Sequence, residues 1–236
     1  MTKHLLIHGD SLALPRQGVC YEETWPYFLQ DQLSEWHVLN RSLDGNTSEI
    51  LNSDTDWENE RRLDYFEPSA VIVQLGIADC APRYLRKFES TLVDSVPSDI
   101  LRRALLFLAT NLRSRSQKRA YVPRSRYEAN IDAFLGRCKA VGVPKVLFIH
   151  ILSPSEKYLA KNPTVASAIK AYNEVIQKMT MKYNFVQSVR PLADSIDDEL
   201  EIADEYTLED GYHLNPEGNC RAADRILSTL QEQDPM

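Results

Sequence analysis

Three short runs of this chain are apolar without interruption: Leu5-Leu6-Ile7, Val71-Ile72-Val73 and Val146-Leu147-Phe148-Ile149. A strand with one face in water alternates apolar and polar side chains, whereas a strand buried on both faces does not. Such runs suit the inner strands of a parallel sheet. Each sits in a longer β-rich stretch: Lys3–Gly9, Ala70–Gly76 and Lys145–Leu152. Two more stretches of this kind cover His37–Leu43 and Phe185–Val189. Helix-like segments separate them, over Glu23–Trp36, Ile100–Arg113, Arg126–Val141, Pro163–Lys182 and Glu217–Gln231. Ile169, Tyr172, Val175, Ile176 and Met179 recur at three- and four-residue steps, the period of an amphipathic helix. Strands alternating with helices predict an α/β fold, an open sheet of about five parallel strands with helices on both faces.

A chain of 236 residues can fill the core of one such domain, so a single domain over 1–236 is expected. No repeat, low-complexity tract or linker divides it. The formal charge of −7 speaks against general affinity for nucleic acid, which rests on phosphate neutralisation. No run is long enough to span a bilayer, and Met1-Thr2-Lys3-His4 leads straight into the first strand without a signal-like segment. Cys20, Cys80, Cys138 and Cys220 are far apart and form no metal-ligand spacing. Four reduced thiols in a cytoplasmic protein are expected, a secreted form with two disulfides being the alternative. Oligomeric state is not encoded in any pattern here.

In open α/β sheets functional groups gather at the carboxyl ends of the strands. Ser11 stands there, in Gly9-Asp10-Ser11 after the first strand. A serine hydroxyl is a poor nucleophile unless a base takes its proton and an acid orients that base. Asp210-Gly211-Tyr212-His213 supplies a carboxylate and an imidazole three residues apart, close enough to meet within one turn. Asn215-Pro216-Glu217 then reads as a helix start, with Asn as cap and Pro at the first helical position. These residues predict a serine hydrolase.

Four blocks together resemble the GDSL or SGNH hydrolase superfamily: Gly9-Asp10-Ser11-Leu12, Asp44-Gly45-Asn46-Thr47, Gly76-Ile77-Ala78-Asp79, and Asp210 through Gly218. The resemblance runs from residue 5 to about residue 228. It implies a three-layer, flavodoxin-like sandwich. It makes Ser11 the nucleophile, His213 the general base and then acid, and Asp210 the orienting carboxylate. No metal or organic cofactor is implied. The family's oxyanion hole uses the serine N–H, the block-two glycine N–H and a block-three asparagine side chain. Here Ser11 and Gly45 match, but Ala78 replaces the asparagine and offers no side-chain donor. Losing one such donor costs about 10²–10³ in turnover elsewhere. The enzyme is then slow, or Asn46 or Arg83 substitutes, or catalysis is lost.

Gly-Ile-Ala-Asp-Cys-Ala-Pro-Arg also resembles a variant associated with hydrolases of bacterial polysaccharide loci, which points to acylated sugars. Two expectations follow within the enzyme class. One is a serine esterase removing a small acyl group, an O-acetyl on a carbohydrate; the other is an O-acyltransferase using the same triad. A non-catalytic sugar-binding relic is the alternative outside it. Asp10, Asp79, His8 and His150 are read as structural. The segment 84–127 is longer than a strand-to-helix connection needs and is expected to be an insertion or lid. It carries Arg113, Arg115, Lys118, Arg119, Arg124 and Arg126 without an acidic residue from 113 to 126. It would either collar an anionic substrate or neutralise the acidic stretch Asp194–Asp210. Arg83, Tyr121 and Arg124 are candidate substrate contacts, and Tyr121 and Tyr127 would stack on sugar rings.

Overall fold

Lys3–Gly9 (β1) lies between Trp36–Asn40 (β2) and Ala70–Gln74 (β3), and the sheet continues through Val146–Ile149 (β4) to Val186–Val189 (β5). The order is β2-β1-β3-β4-β5 and every pairing is parallel. The computed structural model describes residues 3–52, 65–82, 120–192 and 204–232, with positions 63, 93, 95–98, 100–102 and 105 between them. Arg83, most of the helix expected over Ile100–Arg113, most of the segment 84–127 and most of Asp194–Asp210 lie outside the described residues.

The uninterrupted apolar runs follow from the register. Leu6, Val71 and Val146 align across β1, β3 and β4 on one face, while Leu5, Ile72 and Leu147 serve the other. The first face packs against α3 (Arg124–Ala140) and α5 (Val165–Lys182) through Ile131, Phe134, Leu135, Ile169 and Ile176. The second packs against α1 (Trp25–Gln32) and α6 (Pro216–Gln231) through Trp25, Leu29, Ala223 and Ile226. The result is three layers, as expected, and each fully buried Leu or Ile contributes about 1.5–3 kcal/mol. Two short helices, α2 (Ile77–Cys80) and α4 (Glu156–Lys161), sit at the carboxyl end of the sheet. Among the described residues no helix is long and apolar enough to cross a membrane.

The first helix, β2 and β4 are among the elements shorter than their sequence pattern, and the hydrogen bonds at their ends show why. The first helix starts after Thr24 because Glu23 closes a separate 3-10 turn, and it ends where Leu33 N–H meets Leu29 O. Strand β2 stops at Asn40, whose amide donates to Ala13 O and whose Oδ1 accepts the Ser42 N–H. Strand β4 stops at Ile149. Two residues on, Asn173 of α5 takes both the N–H and the C=O of Ile151 at 2.9 Å, replacing the ladder.

The chain moves from β1 outward to β2 and then back across to β3. That reversal opens a crevice at the carboxyl ends of β1 and β3, where open α/β sheets bind ligands. Ser11 follows β1, and Ala78 follows β3.

Candidate active site

Ser11 opens a 3-10 turn, Ser11–Ala13, directly after β1. Asp10 caps this turn: its Oδ1 accepts the Leu12 N–H at 3.0 Å, and the Gln74 amide donates to the same oxygen at 2.9 Å. The cap is buried, and burial pushes its carboxyl up to about 6. The Leu12 and Gln74 donors oppose that rise, while the neighbouring Asp79 and Asp44 charges add to it.

The second half of the site is one turn. Asp210 Oδ1 accepts the N–H groups of Tyr212 at 2.9 Å and His213 at 3.0 Å, while Oδ2 faces His213 Nδ1 at 2.6 Å. That pairing places the imidazole proton on Nδ1 and leaves Nε2 as an acceptor. Nε2 stands 3.1 Å from Ser11 Oγ. Burial pushes the Asp210 carboxyl up, but the two N–H donors and the imidazole outweigh it and hold it below its usual value. His213 lies below its ordinary 6.5 because burial and the Arg16 guanidinium outweigh the raising effect of Asp210. Arg16 is 3.8 Å from Asp210 Oδ2.

The turn is fixed on both sides. Gly211 has φ +73°, its O accepts the Ser155 N–H at 2.8 Å, and Ser155 caps α4. Downstream, the expected helix start forms: Asn215 Oδ1 accepts the Gly218 N–H at 2.9 Å and Pro216 opens α6.

A cavity of about 320 Å³ opens at Ser11 and His213. Gly45, Ala78, Ala81 and Tyr158 line it, with Asp44 and Asp210 among the carboxylates on its wall. Among the described residues no backbone carbonyl takes the N–H of Ser11 or of Gly45, and both residues line the cavity. A hydroxyl within reach of an imidazole that a carboxylate orients is an arrangement suited to acyl transfer.

A family model for the GDSL-like lipase/acylhydrolase family matches residues 7–221. The chain belongs to that family. No curated protein matches it by sequence. The psychrotrophic esterase EstA from Pseudoalteromonas sp., solved with monoethylphosphonate, is 17% identical over 97% of both chains, with a TM-score of 0.59. A putative GDSL-like lipase from Parabacteroides merdae is 15% identical, covers 96% of this chain and 94% of its own, and has a TM-score of 0.62. A lipase/acylhydrolase from Enterococcus faecalis is 13% identical over 99% of both chains, with a TM-score of 0.61. At these identities the likeness is one of fold.

This GDSL-like hydrolase, a carboxylic ester hydrolase by family, departs from the block pattern at Ala78, whose side chain lines the cavity without a donor. The Asn46 amide, one candidate replacement, donates to Gly9 O at 3.1 Å. It ties the block-two loop to the end of β1. Asp79 is fully buried and accepts the Ser48 N–H at 2.9 Å and the Ser48 hydroxyl at 2.6 Å. Asn130 donates to that hydroxyl in turn. Through Ser48, Asp79 thus holds the Gly45 loop against α2.

The other candidates among the described residues lie apart from the cavity. Arg124, at the start of α3, pairs with Glu174 of α5 at 3.0 Å. Tyr121 packs against the core face shared by α3 and α5, and Tyr127 is buried with its hydroxyl on Leu75 O. His8 packs edge-on against Phe134, and His150 meets Ser188 Oγ at 3.1 Å. Sequence reasoning passed over Arg16, Tyr158 and Tyr212. Tyr212 had a signal, lying inside the Asp-x-x-His block; Arg16 and Tyr158 had none.

Proposed function

We propose that this family member is a serine esterase that removes a small acyl group, an O-acetyl, from a carbohydrate ester. The observation that carries it is the line from Asp210 Oδ2 to His213 Nδ1 at 2.6 Å and from His213 Nε2 to Ser11 Oγ at 3.1 Å. Ser11 Oγ attacks the acyl carbonyl as His213 Nε2 takes its proton. The carbonyl electrons move to oxygen, which the Ser11 and Gly45 N–H groups receive. Collapse expels the sugar alkoxide, which takes the proton from His213 and leaves an acyl-Ser11 ester. Water, deprotonated by the same imidazole, then releases acetate. The small side chains of Ala78 and Ala81 favour a short acyl group. The Asp44 carboxylate on the cavity wall favours a hydroxyl-rich alcohol, which it can bind as an acceptor. Cys20, Cys80, Cys138 and Cys220 form no disulfide, which agrees with a cytoplasmic setting.

The test compares acetate release from a peracetylated sugar with turnover of p-nitrophenyl acetate, butyrate and octanoate. Release from the sugar and a fall in kcat/KM with chain length are expected. Preference for octanoate with no acetate from the sugar would overturn the substrate. Transfer of acetyl to a sugar hydroxyl in preference to water would make the enzyme an acyltransferase.

The acid limb of kcat/KM should fall with a midpoint below 6.5, because the base works only unprotonated and burial lowers its affinity for the proton. Activity therefore rises with pH through that midpoint and is level by neutrality. A midpoint above 6.5 would place another group in control.

A further inference from the structure

The carboxylate oxygen that meets the imidazole also faces a cation. Asp210 Oδ2 stands 2.6 Å from His213 Nδ1 and 3.8 Å from Arg16 Nη1. Arg16 is brought there by the loop that follows the nucleophile. After the Ser11–Ala13 turn, Arg16 and Val19 exchange backbone hydrogen bonds at 2.9 and 3.0 Å, closing a tight turn over Gln17 and Gly18. Val19 is buried, and Gly18 takes φ +90° at the tip, where a β-carbon would lie 3.3 Å from the Leu208 side chain. Leu208 is the base of the histidine turn: its N–H donates to His213 O and its O accepts the Gly211 N–H, both at 2.8 Å. The Arg16 turn is therefore seated against the loop that its guanidinium addresses. Resting on the serine-esterase reading, we infer that Arg16 is a positioning residue acting through Asp210: its guanidinium anchors the carboxylate and sets a positive charge beside the Asp210–His213 pair.

Two arguments favour a role in the chemistry over one in stability. A partly exposed ion pair at this distance adds little to folding. Among the described residues Asp210 is the carboxylate paired with Arg16, and the buried Nε of the guanidinium has no hydrogen-bond partner. The side chain thus serves no wider network of the kind a structural anchor would join. Its position matters instead because Asp210 Oδ2 is the oxygen that orients the base.

A cation near an imidazole opposes its protonation, and a carboxylate favours it. The charged groups that weigh most on His213 are Asp210 on its own turn, Asp44 on the block-two loop and Arg16 on the serine loop. Both carboxylates raise its hold on the proton, and Arg16 lowers it. Asp10 also lines the cavity, with its Oδ1 on Leu12 and Gln74, and Lys157 of α4 reaches Glu209 O at 3.1 Å. The rings of Tyr212 and Tyr158 stand on the same wall. Burial already favours the neutral imidazole, so Arg16 extends the working range of the base further into acid rather than creating it.

The test is the pH profile of kcat/KM for p-nitrophenyl acetate in the wild type, Arg16→Gln and Arg16→Lys, beside Ser11→Ala. A unit charge about 6 Å away in a water-like medium moves a titration by about half a pH unit. Arg16→Gln should therefore raise the acid midpoint by about half a unit and lower kcat/KM about threefold below it, with little change near pH 8. A general loss of structure would instead lower the rate by one factor at every pH. Arg16→Lys keeps the charge and should restore most of the midpoint. An unmoved midpoint in Arg16→Gln, or a lysine variant displaced as far as the glutamine one, would overturn the proposal. A second readout needs no turnover: ¹H NMR titration of the His213 imidazole in Ser11→Ala, with and without Arg16→Gln, should show the same rise. Hydrolysis that persists in Ser11→Ala would sink the serine-esterase reading, while the NMR midpoint would still decide the role of Arg16.

Discussion

Ser11→Ala should lower kcat for p-nitrophenyl acetate by at least about 10⁴-fold and leave KM nearly unchanged, because the hydroxyl contributes in the transition state and little to ground-state binding. The size follows from how the groups depend on one another. His213 Nε2 has no proton to take without the hydroxyl 3.1 Å away, and the hydroxyl has no base without His213. His213→Ala should therefore match Ser11→Ala, and the double variant should be no slower than either single one. Asp210→Asn should cost about as much, although it keeps a hydrogen-bonding side chain. An asparagine amide at the Oδ2 position would present N–H to Nδ1 and turn the imidazole into the wrong tautomer. Steady-state kinetics settle the point, with fluorophosphonate labelling of the wild type and its loss in Ser11→Ala as an independent readout. A Ser11→Ala enzyme within tenfold of wild type would place the nucleophile elsewhere.

The residues that were legible from sequence are those whose role depends on near neighbours. The runs at Leu5, Val71 and Val146 announced inner strands because a strand covered on both faces cannot alternate. Strands separated by helices then implied a parallel sheet covered on both faces, while the order of its strands came only with the structure. Asp210 and His213 were legible because three residues suffice to bring them together, and the Asn215-Pro216 helix start behind them is local too. The strand ends were less legible. Asn173, 22 residues away on α5, decides where β4 stops, and nothing near Ile151 reveals it.

The same limit governed the rest of the site. Asp79 reaches Ser48 across 31 residues, and its partner Asn130 lies 82 residues from that serine. Asn46 sits beside Gly45 in sequence, yet its amide turns back to Gly9, since closing the block-two loop on β1 takes a donor at that place. Arg124 belonged to a basic run, but a helix that packs beside α5 offers its first turn Glu174. Arg16 reaches Asp210 only because the loop after Ser11 folds back through the Arg16–Val19 bridge. These are tertiary placements of loops, and composition or spacing does not encode them.

Gly211→Ala should lower kcat about 10²-fold and the melting temperature by several degrees. Two costs combine. At φ +73° an alanine pays about 1–2 kcal/mol for its β-carbon. That β-carbon would also run into the Ser155 hydroxyl, which lies directly over the glycine. Ser155 cannot retreat freely: its N–H donates to Gly211 O, and its hydroxyl caps the helix whose first turn carries Tyr158 to the cavity wall. The displacement therefore passes to the turn itself, and with it to Asp210 on one side and His213 on the other. A shift of about 1 Å in a catalytic group is enough for a loss of this size. Gly142 is the control, since it has φ +79° at the end of α3 with open space around its β-carbon position. Gly142→Ala pays the same backbone cost and touches nothing near Ser11. It should lower the melting temperature by about 2–6 °C and leave kcat at the wild-type value. If Gly211→Ala instead matches Gly142→Ala in both measurements, the Ser155 contact does not hold the histidine in place, and the rigidity of the turn must come from the Asp210 hydrogen bonds alone.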